Sequence, residues 1–208
     1  MAKQSADAAV ALGRPRGFDP DAALRVAIEV FWQRGYQATS LDDLNNAMGL
    51  SRSSFYACFG SKHALLMAAV RRYADDRFAA LTARAAPNPD PRAAVRAMLG
   101  TIAEVRGGTR GCLFVNAVAE LAPGDVELVA FAQAHTGRVG ALMTATFVRA
   151  GCAKADAAQR AGAVLALAIG ATTLRKTGVP AAALAKLLAQ AEHLLPPEPP
   201  ATHRKNRP

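Results

Sequence analysis

Between Gly35 and Gly60 the chain carries two short apolar periods of helical spacing, each fronted by a serine and closed by a glycine; no other feature narrows the possible folds as far. In the first, Ser40-Leu-Asp-Asp43 pairs an N-cap hydroxyl with an acid three residues on, and Leu41, Leu44, Ala47 and Met48 supply a buried face that stops at Gly49. In the second, Ser51-Arg-Ser-Ser54 is a cap that opens a helix to about Phe59, with Phe55 and Phe59 four residues apart and pointing inward. A helix from about Asp19 to Arg34 precedes them, with Pro20 in its first turn and Leu24, Ile28, Phe31 and Trp32 as its apolar stripe; Gly35 ends it. A longer one starts at Lys62 and runs through Leu66, Val70, Tyr73 and Leu81 to the Pro87-Asn-Pro-Asp-Pro91 break.

The rest of the chain has the same period and no alternating Val/Ile/Thr run, so an all-α fold is expected. Further helices are predicted at about 91–106, 112–121, 124–150, 154–177 and 180–195, about nine in all. Nine of the twelve aromatic residues lie at or before Phe78, and the chain beyond it is rich in Ala, Leu and Val, as long, closely packed helices require. The expected organisation is a basic arm at 1–17, a first domain at 18–64, a second at 65–195, and a tail at 196–208. Arg204, Lys205 and Arg207 in that Pro-rich tail read as a solvated terminus.

The longest apolar run, Ala161 to Thr172, is too short to cross a bilayer, and no cationic segment leads into an apolar one at the start. Cys58, Cys112 and Cys152 are odd in number and far apart, which fits reduced thiols in a cytosol and excludes a disulfide scaffold. The expected location is the cytoplasm. The net charge is +9, and between Asp43 and Asp75 there is no acid, whereas Arg52, Lys62, Arg71 and Arg72 fall inside that stretch. A local cation field of this kind points to a polyanionic partner.

Two short capped helices joined by a Gly-containing turn, with basic and hydroxyl residues on the outer face of the second, constitute a helix-turn-helix. The string from Gly35 to Leu66, GYQATSLDDLNNAMGLSRSSFYACFGSKHALL, closely resembles the DNA-binding region of the TetR/AcrR family of bacterial transcriptional regulators. The resemblance runs from about Asp19 to Val70 and rests on Gly35, Thr39, Ser40, Leu44, Ala47, Gly49, Ser51, Phe55, Tyr56, Phe59, Ser61, Lys62, Ala64 and Leu65. A second string, Gly111-Cys-Leu-Phe-Val-Asn-Ala-Val-Ala-Glu-Leu121, is similar to a segment in the ligand domains of one group of these regulators.

The resemblance implies a three-helix DNA-binding domain, a helical ligand-binding and dimerisation domain, and a homodimer whose two recognition helices, Arg52 to Cys58, enter adjacent major grooves. Arg52, Ser53 and Ser54 would occupy the first turn, where an arginine fork matches guanine O6/N7 and a serine serves either base type; Arg52 on phosphate alone is an equal reading. Ser51 is a cap first and a DNA contact second. Tyr56, Lys62, Thr39 and Ser40 are of the types that hold phosphates, although capping alone also accounts for Thr39 and Ser40. Arg14 and Arg16 could lie in a minor groove or along phosphates, or merely solubilise the arm. Two positions depart from the family pattern: Cys58 stands where a backbone-contacting Tyr or His is common, and His63, usually an acid, adds to the cationic face.

In the second region, small residues Gly162, Ala166, Gly170 and Ala171 mark the helices at about 154–177 and 180–195 as the dimerisation pair, the family resemblance favouring this over closure of the monomer core. Cys112, Asn116 and Glu120 share one face, which reads as a satisfied buried contact or as the lining of an effector or redox site, for which they are the candidate residues. Cys112 follows Arg110 at a helix N-terminus, which favours a thiolate, though most such cysteines are inert. His135 and Glu120 do not make a metal site, and neither a metal nor a cofactor is expected. No GxGxxG after a strand, Walker loop, HExxH or Ser/His/Asp set is present, so no enzyme signature competes. The expected function is a ligand-responsive regulator, a repressor on a palindromic double-stranded operator, in which an effector pivots the helix from Lys62 and changes the spacing of the recognition helices. The alternatives are an all-helical small-molecule carrier or enzyme with an incidental basic face, and a nonspecific architectural DNA-binder.

Overall fold

The computed structural model describes residues 18–85, 90–103 and 108–195, and among them it contains nine α-helices and no strand. They are α1 Pro20–Arg34, α2 Leu41–Met48, α3 Arg52–Phe59, α4 Lys62–Ala85, α5 Pro91–Ala103, α6 Leu113–Leu121, α7 Val126–Arg149, α8 Lys154–Arg175 and α9 Ala181–Ala189. The all-α expectation holds. The segment expected as one helix at 180–195 is instead α9 followed by a 3-10 turn over Gln190–Leu194.

The short helices form where local chemistry closes them. Asp19 caps α1 by accepting from the Asp21 N–H, with Pro20 at the first helical position. Ser40 and Asp43 make a reciprocal capping box on α2, and Ser51 caps α3 by accepting from the Ser54 N–H. Gly49 ends α2 at φ 67° in the left-handed region, where its N–H returns to carbonyls of the last turn; a side chain there would be strained.

The buried apolar side chains form two clusters. The first joins Phe31 and Trp32 of α1, Leu44 of α2, Phe55 of α3 and Leu65, Leu66 and Val70 of α4 to Leu113 and Ala117 of α6 and Leu128 of α7. The first three helices therefore do not close their own core; α6 and the start of α7 complete it. The second cluster packs the far end of α4 (Leu81, Ala85) against α5, the far half of α7, α8 and the closing 3-10 turn. Expected positions differ in detail: Ala47 is exposed, and Asn45 takes a buried place on α2.

α8 corrects the membrane argument made from its apolar run. The helix as a whole has 22 residues and a mean hydropathy of 1.2 in its most apolar 18-residue window, which is long and apolar enough to span a bilayer by length and composition alone. Its Ala157, Ala161, Val164, Ala168 and Ala171 lie in the protein's interior. Gly162, Ala163, Ala166 and Gly170 are exposed, so Ala171, read as one of the contact residues, points inward instead.

Candidate nucleic-acid interface

Burial of Leu44 and Phe55, both 0% exposed, fixes how α2 and α3 sit on the first core and therefore which side chains α3 turns outward. Arg52, Ser53 and Tyr56 are exposed, Tyr56 at 51%, while Ser54 and Cys58 are half-buried. An aromatic ring left this exposed on a short, well-capped helix is available to a partner. The Ser51 hydroxyl, besides capping, lies 2.9 Å from both the Ser53 and Ser54 hydroxyls, so the three serines at the head of α3 form one network. Arg52 has a partner that its sequence position did not announce. Its Nη2 donates to Asp42 Oδ1 and Oδ2 at 2.9 and 3.0 Å, tying the head of α3 to the first turn of α2. Both side chains are well exposed, so the pair contributes little and can be exchanged for a stronger acceptor.

Around this helix the remaining predicted residues fall into different places. Ser40 is exposed and engaged in the capping box, where its hydroxyl and backbone N–H, with the Arg34 guanidinium, hold the Asp43 carboxyl down at about 2. Thr39 is 1% exposed and its hydroxyl donates to the Gly35 carbonyl at 2.6 Å. It is a turn residue, not a surface one. Lys62 sits with Nζ 4.2 Å from the centroid of the Tyr36 ring, a cation–π contact that leaves an ammonium beside the α3 face. Arg14 and Arg16 lie outside the described residues.

The acid-free stretch is partly neutralised by acids outside it, one from α7 and one a turn further along α4. Arg71 reaches Glu127 of α7 at 3.2 Å, and Arg72 pairs with Asp76 at 3.2 Å. His63 does not add to an outer cationic face as expected. Its Nε2 lies 2.7 Å from Oδ2 of Asp125, the residue that caps α7, and the Leu128 N–H together with this imidazole lowers the Asp125 carboxyl.

The three residues expected on one effector face are separated by the structure. Cys112 borders a cavity of about 70 Å³ between α4, α5, α6, α7 and α8, walled by Phe114, Val139, Leu165 and Ile169, with polar groups from Tyr73, Arg77, His135, Thr136 and Thr172. This cavity lies where the two apolar clusters meet, because Tyr73 belongs to the first and Leu81 and Val139 to the second. The Tyr73 phenol is pushed upward, by burial first and then by the neighbouring Cys112. Burial, then the Arg138 guanidinium, lowers His135, whose ring stacks on Phe131. Arg110, expected at the thiol, bonds Glu29 at 2.7 Å and lies 4.4 Å above the Trp32 ring.

Asn116 and Glu120 face elsewhere. Asn116 donates to the Arg110 carbonyl and accepts from Lys176, each satisfied across a short loop or from just past the end of α8. Glu120 accepts from the backbone N–H groups of Tyr36 and Gln37, in the turn between α1 and α2. Among the described residues no cluster of His, Cys, Asp and Glu could hold a metal ion.

Residues 23–69 match the family model for bacterial regulatory proteins of the tetR family. The chain is 53% identical over 68 residues to the HTH-type transcriptional repressor ComR of Escherichia coli K12, covering 33% of this chain and 32% of that one. It is 33% identical over 123 residues to the uncharacterized HTH-type transcriptional regulator YezE of Bacillus subtilis 168, covering 58% and 63%. The alignments thus span less than two thirds of these curated relatives. Over nearly full length, the structure is similar to that of a cysteine-substituted TetR family transcriptional regulator CifR complexed with 26-base-pair double-strand operator DNA, at 30% identity and a TM-score of 0.72, covering 87% of this chain and 97% of that one. The chain belongs to the TetR family of bacterial regulatory proteins.

Proposed function

We propose that this protein is a cytoplasmic, non-enzymatic transcriptional repressor that binds a palindromic DNA operator as a homodimer and releases it when a small molecule occupies the cavity beside Cys112. The observation that carries the reading is the capped α2–α3 pair, held by Leu44 and Phe55 so that Arg52, Ser53 and Tyr56 face outward. Family membership and the operator-bound relative support it. The proposed assignment gives α3 to the major groove, with Arg52, Ser53 and Ser54 toward base edges. Ser40, Ser51, Tyr56 and Lys62 are assigned to phosphates, and Thr39 is withdrawn because its hydroxyl is buried and bonded within the turn. Arg14 and Arg16 remain candidates for contacts from the arm.

The division at 64/65 is retained as a functional one, DNA-binding before it and ligand-binding with dimerisation after it, although the first apolar core crosses that line. The proposed dimer contact is the exposed small-residue face of α8 together with α9, where a Cβ added at Gly162 or Gly170 would meet no atom of the same chain within 4 Å. The mostly apolar walls of the cavity suit an apolar effector, which would have to widen its volume of about 70 Å³ on entry, and of the three predicted effector residues only Cys112 borders it.

Selection of bound sequences from a random duplex library tests this directly. The native protein should enrich a palindrome whose half-sites are about one helical turn, 34–36 Å, apart. Affinity for the enriched duplex should fall steeply between low and moderate salt as counterions are released. Binding without a preferred sequence would mark an architectural protein, and no duplex affinity would leave an all-helical carrier.

A further inference from the structure

Glu120 stands one residue before the end of α6, and its carboxylate makes two backbone bonds across the fold: the Tyr36 N–H to Oε2 at 2.9 Å and the Gln37 N–H to Oε1 at 2.7 Å. Its receiving turn is shaped for it. Gly35 sits at φ 82°, which favours glycine, and a Cβ there would lie 3.0 Å from Oε2, so the missing side chain leaves room for the carboxylate to close on the turn. At the other end of α6 the Trp32 indole N–H donates to the Gly111 carbonyl at 3.1 Å. One helix is thus pinned to α1 at its start and to the end of α1 and the approach to α2 at its finish. Between those pins, Phe114 and Val115 border the cavity while Leu113 and Ala117 are buried in the first core.

We propose that Glu120 is the positioning residue through which α6, and with it the cavity, sets the orientation of α2 and α3. This rests on the DNA-binding function proposed above. A carboxylate is suited to the task because its two oxygens each take an N–H, and charge-assisted bonds are short and strongly directional. The partners are backbone groups, so no flexible side chain absorbs a displacement. An occupant that pushes on Phe114 or Val115 moves α6 as a rod, and the effect reaches Glu120 about 9 Å away at 1.5 Å per residue. The carboxylate then either carries the turn with it or releases it. In both cases Leu41, four residues past Gln37, begins a helix whose anchor has changed.

Reciprocity supplies a test in the native protein. If the clamp favours the DNA-bound arrangement, DNA must favour the clamp. Amide hydrogen exchange of Tyr36 and Gln37 should therefore slow when the selected duplex is bound; unchanged exchange at both would overturn the proposal. The second arm compares Glu120→Gln, which keeps one acceptor oxygen and loses the charge, with Asn116→Ala, which breaks the α6 link to Lys176 just past the end of α8 but leaves the clamp. Measured well below either melting temperature, Glu120→Gln should lower the ratio of selected-duplex to random-duplex affinity about tenfold, the size expected of a modest two-state shift. Asn116→Ala should change it less than twofold. Equal losses in the two variants, or an unaltered ratio in Glu120→Gln, would show the clamp to be a stability contact only. Should Glu120→Gln fail to fold, the exchange measurement on the native protein decides alone. If the native protein enriches no duplex, the proposed function fails, whereas the clamp itself is still visible as faster exchange of the two amides in a folded Glu120→Gln.

Discussion

The side chain of Arg52 illustrates how a residue can look available in sequence and be engaged in structure. Its Nε and Nη2 already donate to one carboxylate, that of Asp42, the kind of two-donor pairing an arginine also makes with a guanine edge. Because the pair is exposed, the proposed contact of Arg52 with DNA would exchange one acceptor for another at small cost. Lys62 differs, since its partner is the face of Tyr36 and its ammonium keeps its donors for phosphate. The two should fail differently as alanine variants. Lys62→Ala should weaken selected and random duplexes alike and lower the salt slope by about one unit. Arg52→Ala should relax base preference at one symmetric pair of positions, at roughly 1–3 kcal/mol per contact. Equal losses on both duplexes for Arg52→Ala would make it a backbone anchor.

At the scale of the element, α2 and α3 are eight residues each, too short to persist without their ends closed. The capping box on α2 carries a pH signature. The Asp43 carboxyl is lowered from an ordinary 3.8 to about 2, chiefly by the Ser40 hydroxyl and backbone N–H and then by Arg34. A group lowered in the folded state stabilises above its unfolded value and loses that contribution as pH falls through the folded one. The stability difference between the native protein and Asp43→Asn should therefore be constant above about pH 5, shrink from pH 4 downward and be largely gone near pH 2. Denaturant midpoints across that range would show it, and a difference that persists unchanged to pH 2 would mean that the charge of Asp43 does nothing for the cap. On α3, Ser51→Ala should cost about 1 kcal/mol by the same measurement, because the Ser54 N–H loses its acceptor.

For the whole molecule, the two apolar clusters meet at the cavity, and α4 and α7 run through both, so the arrangement of the DNA-facing helices is mechanically continuous with the distal half. The proposed dimer would be made there, on α8. Ala166 is exposed, between glycines whose added Cβ would find open space, and Ala166→Glu leaves the protomer's own packing untouched. It should convert a dimer into a monomer in light scattering, because an unpaired carboxylate buried at a close helix contact is costly. Helical circular dichroism should be preserved and affinity for the palindrome lost. A variant that remains dimeric would move the interface off this face of α8.

Features controlled by nearest neighbours along the chain could be read before any fold was known. Helix starts at Asp19, Ser40 and Ser51, stops at Gly35, Gly49 and Gly60, and inward Phe31, Leu44 and Phe55 all come from caps and a 3.6-residue period, which are local properties. The α2–α3 pair was legible for that reason. Partners distant in sequence come from the packing of the helices: Asp42 for Arg52, Asp125 for His63, Glu29 and Trp32 for Arg110, and the backbone of residues 36 and 37 for Glu120. Helical spacing correctly grouped Cys112, Asn116 and Glu120 along one short helix, yet a helix packed among α1, α4 and α7 meets different neighbours along its length. Period tells which side of a helix a residue occupies; which surface waits on that side is set by how the other helices pack around it.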